Sequence, residues 1–539
     1  MTHLIKNSLY LLLVVNLFLA CNKDGDLLRT RNFKISEIET RQDYLAPLLL
    51  EKDVDGNLVL NNEEIEFNQG IYELNDAGFY ELIINSTDTT LFVLLDKERG
   101  EAEWGLKKWI PEEPIIQDKF NDELEIIHPQ YYVQGTAIPF IFKTENWTKE
   151  CSTNLVCTSS IGSRFMIKKG IGSQSEIINN TNHTFTINEK EYYTKLSNHS
   201  SEVKVLDHDI TTPTILAPNT VIQLKKEITI SQSGSLTLQE GTILIIDEGV
   251  NMTNYGSIHF NGTIGNPILV TCTKGEEYFG GFISEGSAAT IDAAHTFFSH
   301  FGQHSETEYQ YGHAKHQALF KSTNTKLTFN NCYFIDTPGQ VFYPFNCDLT
   351  IENCIIQRAK TSGQINSSKL IIKNSYLSDF PDDSQEYRDE DNDAIYLSAT
   401  NATILNSLFM YTKDDGIDTG GNEGGAVNID SCWFEACFHE GIAMSSGDQV
   451  EKTHIIKNST FTNCQQGAEL GYSSPNHSVL IDNCIFDRNY IGVRFGDNYK
   501  NDVNGIIWLR QSTYQSNHRN YWNMVHQIWA PKTNNLIIE

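Results

Sequence analysis

The sequence is poor in positive charge: 40 lysines and arginines stand against 69 aspartates and glutamates, which gives a formal net charge of −29. A protein that binds nucleic acid or an anionic membrane surface needs a basic face, so this balance disfavours both kinds of partner. It also disfavours a polyanionic substrate, unless a divalent cation bridges the like charges.

Hydrophobic runs of membrane length are also lacking, and the longest apolar run, residues 9–20, is too short to span a bilayer. It ends directly before Cys21, and the stretch resembles a bacterial lipoprotein signal. That resemblance implies cleavage after residue 20, lipidation of Cys21 and membrane contact only through the lipid anchor. The acidic residues 22–26 resemble the export tag of surface lipoproteins of the Bacteroidetes, which implies the bacterial cell envelope, with exposure on the outer membrane. The alternative is an ordinary cleaved signal peptide.

Metal-binding cysteine and histidine patterns are scarce. No Cys-x-x-Cys pair and no His-x-His or His-Glu-x-x-His motif is present, which disfavours a zinc site. Cys151 and Cys157 are the best candidates for a disulfide. Four other cysteines share one repeat position with serines, and this predicts small buried residues in a stack: Cys332, Cys354, Cys432 and Cys484, alternating with Ser375, Ser407 and Ser459.

The chain does carry a repeat, in which a short phrase with alternating apolar residues leads into an Asn, Ser or Gln. The repeat positions are Asn331, Asn353, Asn374, Asn406, Ser431, Asn458, Asn483 and Gln511. The steps between them are 22, 21, 32, 25, 27, 25 and 28 residues, a period typical of a solenoid. The alternation predicts strands, and each phrase is too short to bury its apolar face unless neighbouring repeats stack.

A second strand follows each phrase and begins with glycine, as at Gly416, Gly441, Gly467 and Gly492. Several short strands in each repeat, with Asn and Gly at the bends, resemble the pectin-lyase-like superfamily, which implies a right-handed parallel β-helix. The predicted fold class is therefore all-β, a right-handed parallel β-helix preceded by two small β domains. The predicted boundaries are residues 1–20 for the signal peptide, 21–117 for the first β domain, 118–203 for an immunoglobulin-like domain with its linker, and 204–539 for the β-helix.

Stacking of the repeats predicts columns of side chains on the β-helix. Alignment of the glycine strands places Asp393, Asp415, Glu440, Gln466 and Ile491 in one column, directly before the strand. The column one position earlier contains Asn392, Asp414, His439, Gln465 and Tyr490, and an outward column contains Tyr396, Asp418, Ala443, Glu469 and Arg494. An acidic ridge with one histidine is therefore expected, close to an acidic insertion at residues 378–393.

Two kinds of chemistry suit this ridge. Carboxylates on adjacent coils can hold Ca²⁺, which takes six to eight oxygen ligands, and the candidate ligands are Asp391, Asp393, Asp414, Asp415 and Asp418. Clustered carboxylates can also act as acid and base in the cleavage of a polysaccharide, by a lyase or a glycoside hydrolase. Asp and Asn are common at tight bends for structural reasons alone, so a purely structural role is the third alternative.

A further resemblance concerns Asp393, Asp414, Asp415 and His439. Their order and spacing are similar to the Asn-x-Asp, Asp-Asp and Gly-His-Gly motifs of polygalacturonase-type hydrolases, which implies catalytic roles for these four residues. The sequence departs from that pattern at Phe438 and Glu440, which flank the histidine, and it has no Arg-Ile-Lys motif. Three functions follow: a polysaccharide-processing enzyme, a Ca²⁺-dependent carbohydrate-binding protein, or a non-catalytic structural or adhesion β-helix. A segment at 295–316 contains five of the sixteen histidines and is a weaker candidate for a metal site.

Overall fold

The structure is a computed structural model. The structure describes residues 32–38, 43–45, 48–61, 63–75, 78–85, 88–95, 111–117, 123–144, 151–178, 182–199, 203–304, 306–381, 392–420, 425–444, 452–471, 477–496, 505–523 and 536–539. The predicted lipidation site Cys21, the candidate ligand Asp391 and most of the acidic insertion lie outside these ranges. Among the described residues, no helix is long and apolar enough to cross a membrane.

The chain divides into two compact units, residues 1–109 and 110–539. The first unit is built on two small sheets around a leucine-rich core that includes Leu48, Leu50, Leu58 and Leu82. Its strands are Asn32–Lys34, Asp43–Leu45, Leu48–Glu51, Leu58–Leu60, Glu63–Glu64, Ile71–Leu74, Gly78–Ile84 and Asp88–Leu95.

The second unit begins with a β-sandwich of a three-stranded and a four-stranded sheet. Phe140 and Phe142 on one sheet pack edge-on against Phe185 on the other, with ring centroids 4.9 and 4.8 Å apart. The strands of this region are Leu124–Ile127, Tyr131–Tyr132, Ala137–Thr144, Leu155–Ser159, Arg164–Ile167, Ile171–Ile177, Asn182–Ile187, Lys190–Lys195 and Ser197–Asn198. Cys157 lies on a strand with its side chain in this core, and both Cys151 and Cys157 are free thiols, so the predicted disulfide is wrong.

The rest of the second unit is a parallel β-helix with three long sheets, named here sheets 1, 2 and 3 in the order in which the chain passes through them. The described strands of sheet 1 are Lys204–Leu206, Val221–Leu224, Ile243–Ile246, Ile268–Cys272, Thr296–Ser299, Tyr333–Ile335, Ile355–Gln357, Tyr376–Phe380, Leu408–Thr412, Trp433–Glu435, Thr460–Thr462, Ile485–Asp487 and Thr513–Gln515. Those of sheet 2 are Ile228–Ile230, Met252–Asn254, Phe282–Glu285, Ala318–Thr323, Gln340–Phe345, Thr361–Asn366, Ile395–Ser398, Ile417–Asp418, Glu440–Met444, Gln466–Leu470, Ile491–Phe495 and Arg519–Asn523. Those of sheet 3 are Pro213–Leu216, Ser235–Gln239, Ser257–Asn261, Thr290–Ala294, Lys326–Asn330, Asp348–Glu352, Lys369–Lys373, Asn401–Leu405, Val427–Asp430, Lys452–Lys457, His477–Asp482, Ile506–Arg510 and Leu536–Ile538. The predicted all-β fold class is confirmed.

Each repeat phrase forms two strands, one in sheet 3 and one in sheet 1, with the repeat residue at the bend between them. Asn353, Asn374 and Asn406 adopt positive φ angles of 55°, 49° and 49°, a conformation that asparagine tolerates better than most residues. Their amides form a ladder, in which Asn374 Nδ2 donates to Asn353 Oδ1 at 3.3 Å and Asn406 Nδ2 donates to Asn374 Oδ1 at 2.8 Å. Asparagine therefore provides both the bend and a hydrogen bond between coils.

The cysteine and serine column is buried, as predicted, and its heteroatoms accept hydrogen bonds from the preceding coil. The Cys332 backbone N–H lies 3.4 Å from Cys354 Sγ, and the Cys354 N–H donates to Ser375 Oγ at 3.1 Å. Thiol and hydroxyl groups thus fill the same place in the interior. Burial raises the pKa of the Cys332 and Cys484 thiols, which keeps these groups protonated.

The outer face of sheet 1 carries the sandwich. Apolar residues on this face, including Phe297, Tyr333 and Tyr376, share one core with the sandwich strands. Lys168 of the sandwich forms an ion pair with buried Asp379 of sheet 1, and its ammonium lies 4.0 Å from the ring centroid of Tyr411. Sheet 1 is therefore covered as far as Trp433. The site described next lies along the edge of sheet 1 where the chain turns into sheet 2.

Candidate functional site

The predicted acidic residues come together on three consecutive coils, where sheet 1 turns into sheet 2. Strand pairing aligns Ile395 with Ile417 and Ile417 with Ile442, which places Asp393, Asp415 and Glu440 in one column, the register derived from the glycine strands. We name the group Asp393, Asp414, Asp415, Asp418, His439 and Glu440 the acidic cluster.

Backbone contacts hold the column in place. The Asp415 N–H donates to Asp393 Oδ1 at 3.1 Å, and the Glu440 N–H donates to Asp415 Oδ1 at 2.8 Å. The coils approach so closely at this bend that a Cβ on Gly416 would lie 2.4 Å from the carbonyl oxygen of Gly441. Glycine is therefore required here by the space between coils.

His439 lies among the carboxylates. Its Nδ1 is 2.5 Å from Glu440 Oε2 and 3.4 Å from one oxygen of both Asp414 and Asp415. The side chains of His439 and Asp414 are 13% and 10% exposed, whereas that of Glu440 is 2% exposed. The histidine and Asp414 thus form the accessible rim of the cluster, and Glu440 lies beneath them.

The cluster contains two overlapping sets of side chains that could hold a cation. In each set the ligand atoms all lie within 4.8 Å of one another: Asp414, Asp415 and His439 in the first, and Asp393, Asp415 and Asp418 in the second. The second set offers only oxygen ligands, which suits Ca²⁺, whereas the first includes an imidazole, which Ca²⁺ does not favour. The fifth candidate ligand, Asp391, falls outside the described residues. None of the described histidines of the segment 295–316 belongs to such a set.

Electrostatics favours protonated carboxyl groups in this place. Burial, followed by the charges of Asp414, Asp418 and Asp415, raises the pKa of Asp393 well above its usual range. Burial and the Glu440 charge raise the pKa of Asp415 in the same direction. Burial raises the pKa of Glu440 to about 7. The cluster therefore holds protons near neutral pH that ordinary carboxyl groups would have lost.

Two features differ from the expectation of an exposed ridge. The outward column is largely buried, because Tyr396, Ala443, Glu469 and Arg494 are each less than a tenth exposed. Arg494 forms an ion pair with Glu469 at 3.2 Å, and it lies two coils beyond Glu440. The acidic groups are thus enclosed rather than displayed on an open surface.

Glu440 is a member of the cluster to which the sequence had assigned no role, and His313, expected only as part of the histidine-rich segment, contacts Tyr396. Glu440 interrupts the Gly-His-Gly pattern, and its position in the column with Asp393 and Asp415 was the signal that could have identified it. His313 comes from a loop between sheets 1 and 2 and stacks on Tyr396, with ring centroids 4.5 Å apart. Nothing in the repeat predicts where that loop crosses the coils.

Comparison with known proteins supports the fold. A family model for the right-handed β-helix region matches residues 317–484 and 393–520, which are the coils that carry the cluster. Neither a curated protein nor a solved structure matches the chain. The family match and the observed strand order together identify a right-handed parallel β-helix protein.

Proposed function

We propose that this protein is a cell-envelope lipoprotein that binds a polysaccharide at the acidic cluster and cleaves it by acid–base catalysis. The observation that carries this proposal is the contrast between Glu440 and Gln466, which stand one coil apart in the same column. Gln466 fills its place without a charge and donates a hydrogen bond to Glu440 Oε1. A neutral amide therefore satisfies this position of the β-helix, whereas the buried carboxyls at Asp393, Asp415 and Glu440 reduce stability when they ionise.

The proposed acid is Asp415. Its raised pKa keeps a proton available near neutral pH, and it touches both Glu440 and the accessible rim. Asp414 is the proposed base, because it lies at that rim beside His439. In hydrolysis, Asp415 gives its proton to the glycosidic oxygen as that bond breaks, and Asp414 takes a proton from the water that attacks the sugar carbon.

Calcium binding without catalysis is a second candidate function. The all-oxygen set of Asp393, Asp415 and Asp418 supports it, since a divalent cation would offset the repulsion that raises the pKa of Asp393. A purely structural role is supported by the hydrogen bonds that Asp393 and Asp415 accept from backbone N–H groups of the next coil. Ser375 accepts a similar backbone hydrogen bond at another bend.

One experiment distinguishes these functions. The protein is incubated with neutral and uronic polysaccharides, with Ca²⁺ or with a chelator, and reducing ends and unsaturated-product absorbance are recorded. Asp415→Asn keeps the oxygen that accepts the Glu440 N–H but cannot donate the proton. Asp292→Asn removes the same charge from sheet 3, where the side chain is 49% exposed, and serves as the matched control.

Product that Asp415→Asn abolishes and Asp292→Asn does not would establish the enzyme. Unsaturated product would identify a lyase, and reducing ends alone a hydrolase. Ca²⁺-dependent retention of polysaccharide without product would favour the binding protein. No product and no retention by the folded protein would leave the structural role and refute the proposal.

The envelope assignment depends on Cys21. Labelling with a fatty-acid analogue in the bacterial host tests it, because lipidation should appear on the parent protein and disappear with Cys21→Ser. Labelling of neither protein would contradict the lipoprotein assignment without affecting the test of the acidic cluster.

A further inference from the structure

A polar concavity lies at the turn from sheet 2 into sheet 3, on the edge of sheet 2 opposite to the acidic cluster. It has a volume of about 730 Å³ and extends over the coils between Ser287 and Asn401. We name it the corner groove; its lining residues are Ser287, Asn324, Thr325, Lys326, Asn346, Cys347, Asp348, Ser367, Ser368, Lys369 and Asn401.

One wall of the groove is a column of bend residues. Asn324, Asn346 and Ser367 adopt positive φ angles of 56°, 53° and 47°, and all three are exposed. Asn346 Nδ2 donates to Asn324 Oδ1 at 2.6 Å, so the amides are fixed relative to one another. A side-chain amide has two N–H donors and an oxygen that can accept two hydrogen bonds. This single hydrogen bond therefore leaves part of each amide available to a ligand.

The floor is rigid because it belongs to the interior of the β-helix. The Thr325 N–H lies 3.4 Å from Cys347 Sγ, and the Cys347 N–H donates to Ser368 Oγ at 2.9 Å. These three side chains are buried, and the bonds fix the spacing from coil to coil. A ligand in the groove would therefore meet polar groups whose positions are set before it binds.

The other wall is a charged column on the first residues of the sheet 3 strands. Strand pairing aligns Lys326 with Asp348, Asp348 with Lys369, and Lys369 with Asn401. The four side chains are exposed, and neighbouring coils are about 4.8 Å apart. The column thus repeats a hydrogen-bonding group at an interval comparable with one pyranose unit of an extended glycan.

An exposed aromatic residue stands next in the chain to a residue that lines the groove. Phe345 directly precedes Asn346 and is 51% exposed, although it is flanked in its strand by the buried Pro344. An exposed aromatic ring beside amides and hydroxyls is suited to a sugar, which has apolar C–H faces and a polar edge.

We propose that the corner groove is a glycan-binding site, in which a linear polysaccharide lies lengthwise across four coils. The amide and charged columns would bind its hydroxyl groups, and Phe345 would contact a sugar face. The site is separate from the acidic cluster: the strand Ile395–Ser398 lies between the two edges and spans about 13 Å. Glycan binding in the corner groove therefore does not require catalysis at the acidic cluster.

The test measures binding by affinity electrophoresis in gels that contain polygalacturonate, alginate, xylan or laminarin. All proteins carry Asp415→Asn, so that cleavage cannot remove the polymer. The test variants are Phe345→Ala and the pair Lys326→Ala with Lys369→Ala. The controls are Ile485→Ala, which removes a hydrophobic side chain 41% exposed on sheet 1, and Lys225→Ala, which removes an exposed lysine before the groove begins.

At least one polymer is expected to retard the protein that carries Asp415→Asn alone. Both test variants should bind that polymer about fivefold to tenfold more weakly, because each loses one or two hydrogen bonds or an equivalent contact. The polymer should also slow amide exchange at 324–326, 346–348 and 367–369. Retardation by none of the four polymers would overturn the proposal. Equal weakening by test and control variants, or protection confined to the acidic cluster, would also overturn it.

Discussion

Replacement of Glu440 by glutamine is expected to abolish a loss of stability that the parent protein suffers as pH rises. Burial raises the pKa of Glu440 from 4.5 to about 7 in the folded protein. Between these two values the folded state keeps a proton that the unfolded state has released. The parent is therefore most stable below pH 4.5 with respect to this group, and that stability is lost as pH rises through 7.

The size of the effect follows from the shift. Each unit of pKa corresponds to about 1.4 kcal/mol, so the shift is equivalent to about 3 kcal/mol at pH 8. A glutamine in the place of Glu440 can accept the same hydrogen bond from Gln466 and has no charge to desolvate. Glu440→Gln should therefore equal the parent within about 1 kcal/mol at pH 5 and exceed it by about 3 kcal/mol at pH 8.

Urea unfolding at pH 5, 6, 7 and 8 measures this difference directly. Glu352→Gln makes the same substitution on sheet 3, away from the cluster, and is the matched control. Parallel pH profiles for the parent and Glu440→Gln would refute the assignment of a raised pKa. If Glu440→Gln is also inactive on a polysaccharide that the parent protein cleaves, the ionisable group at this position lowers stability but is needed for activity.

Three more predictions concern other parts of the structure. Asn374→Ala should lower the free energy of unfolding by about 2–3 kcal/mol, because it removes the hydrogen bonds to Asn353 and Asn406 and places alanine at a positive φ. Asn374→Gly removes the same hydrogen bonds but tolerates that φ, so it should lose about 1 kcal/mol less. Equal losses for the two variants in urea unfolding would contradict the role of φ. Burial alone would raise the pKa of Asp379, but the Lys168 ammonium, together with hydrogen bonds from Gln357 and Ser378, outweighs burial and lowers that pKa. In urea unfolding, Lys168→Met should therefore cost about 3 kcal/mol at pH 7, less at pH 4, and little when Asp379→Asn is added. Ca²⁺ at one hundred times its dissociation constant should stabilise the protein by about 2.7 kcal/mol, and an unchanged thermal midpoint with Ca²⁺ and with chelator would exclude the calcium site.

Much of the architecture could be predicted from the repeat in the sequence. Asn353 and Asn374 marked bends, and Cys354 and Ser375 marked an interior column, because identical side-chain chemistry at a fixed period means stacked coils. The same period gave the register of Asp393 and Asp415, since strand pairing in a solenoid follows directly from the alignment of repeats.

What the repeat did not predict depends on contacts between distant parts of the chain. The sandwich packs on sheet 1, and the available signal was that strands such as Ile243–Ile246 are apolar on both faces, as strands covered on both sides are. The burial of Glu440 and the contact between His313 and Tyr396 depend on how the coils and the intervening loop close around the cluster. The free thiol of Cys157 is fixed by its place in the sandwich core, which spacing in the sequence does not report.

Because the sandwich packs on only part of sheet 1, the β-helix should resist a pulling force differently along its length. Apolar contacts with the sandwich extend as far as Trp433, and the following strands of sheet 1 begin with Thr460, Ile485 and Thr513. The described coils after Trp433 also have polar contacts with Glu112, through Asn463 and Arg488, but no share of that apolar core. Under a pulling force at the C-terminus, the last coils would therefore separate one at a time. The 25 residues from Asn458 to Asn483 would release about 85 Å of contour length. At the coil of Trp433 the force must rise, because extraction of the next strand also breaks the core shared with the sandwich.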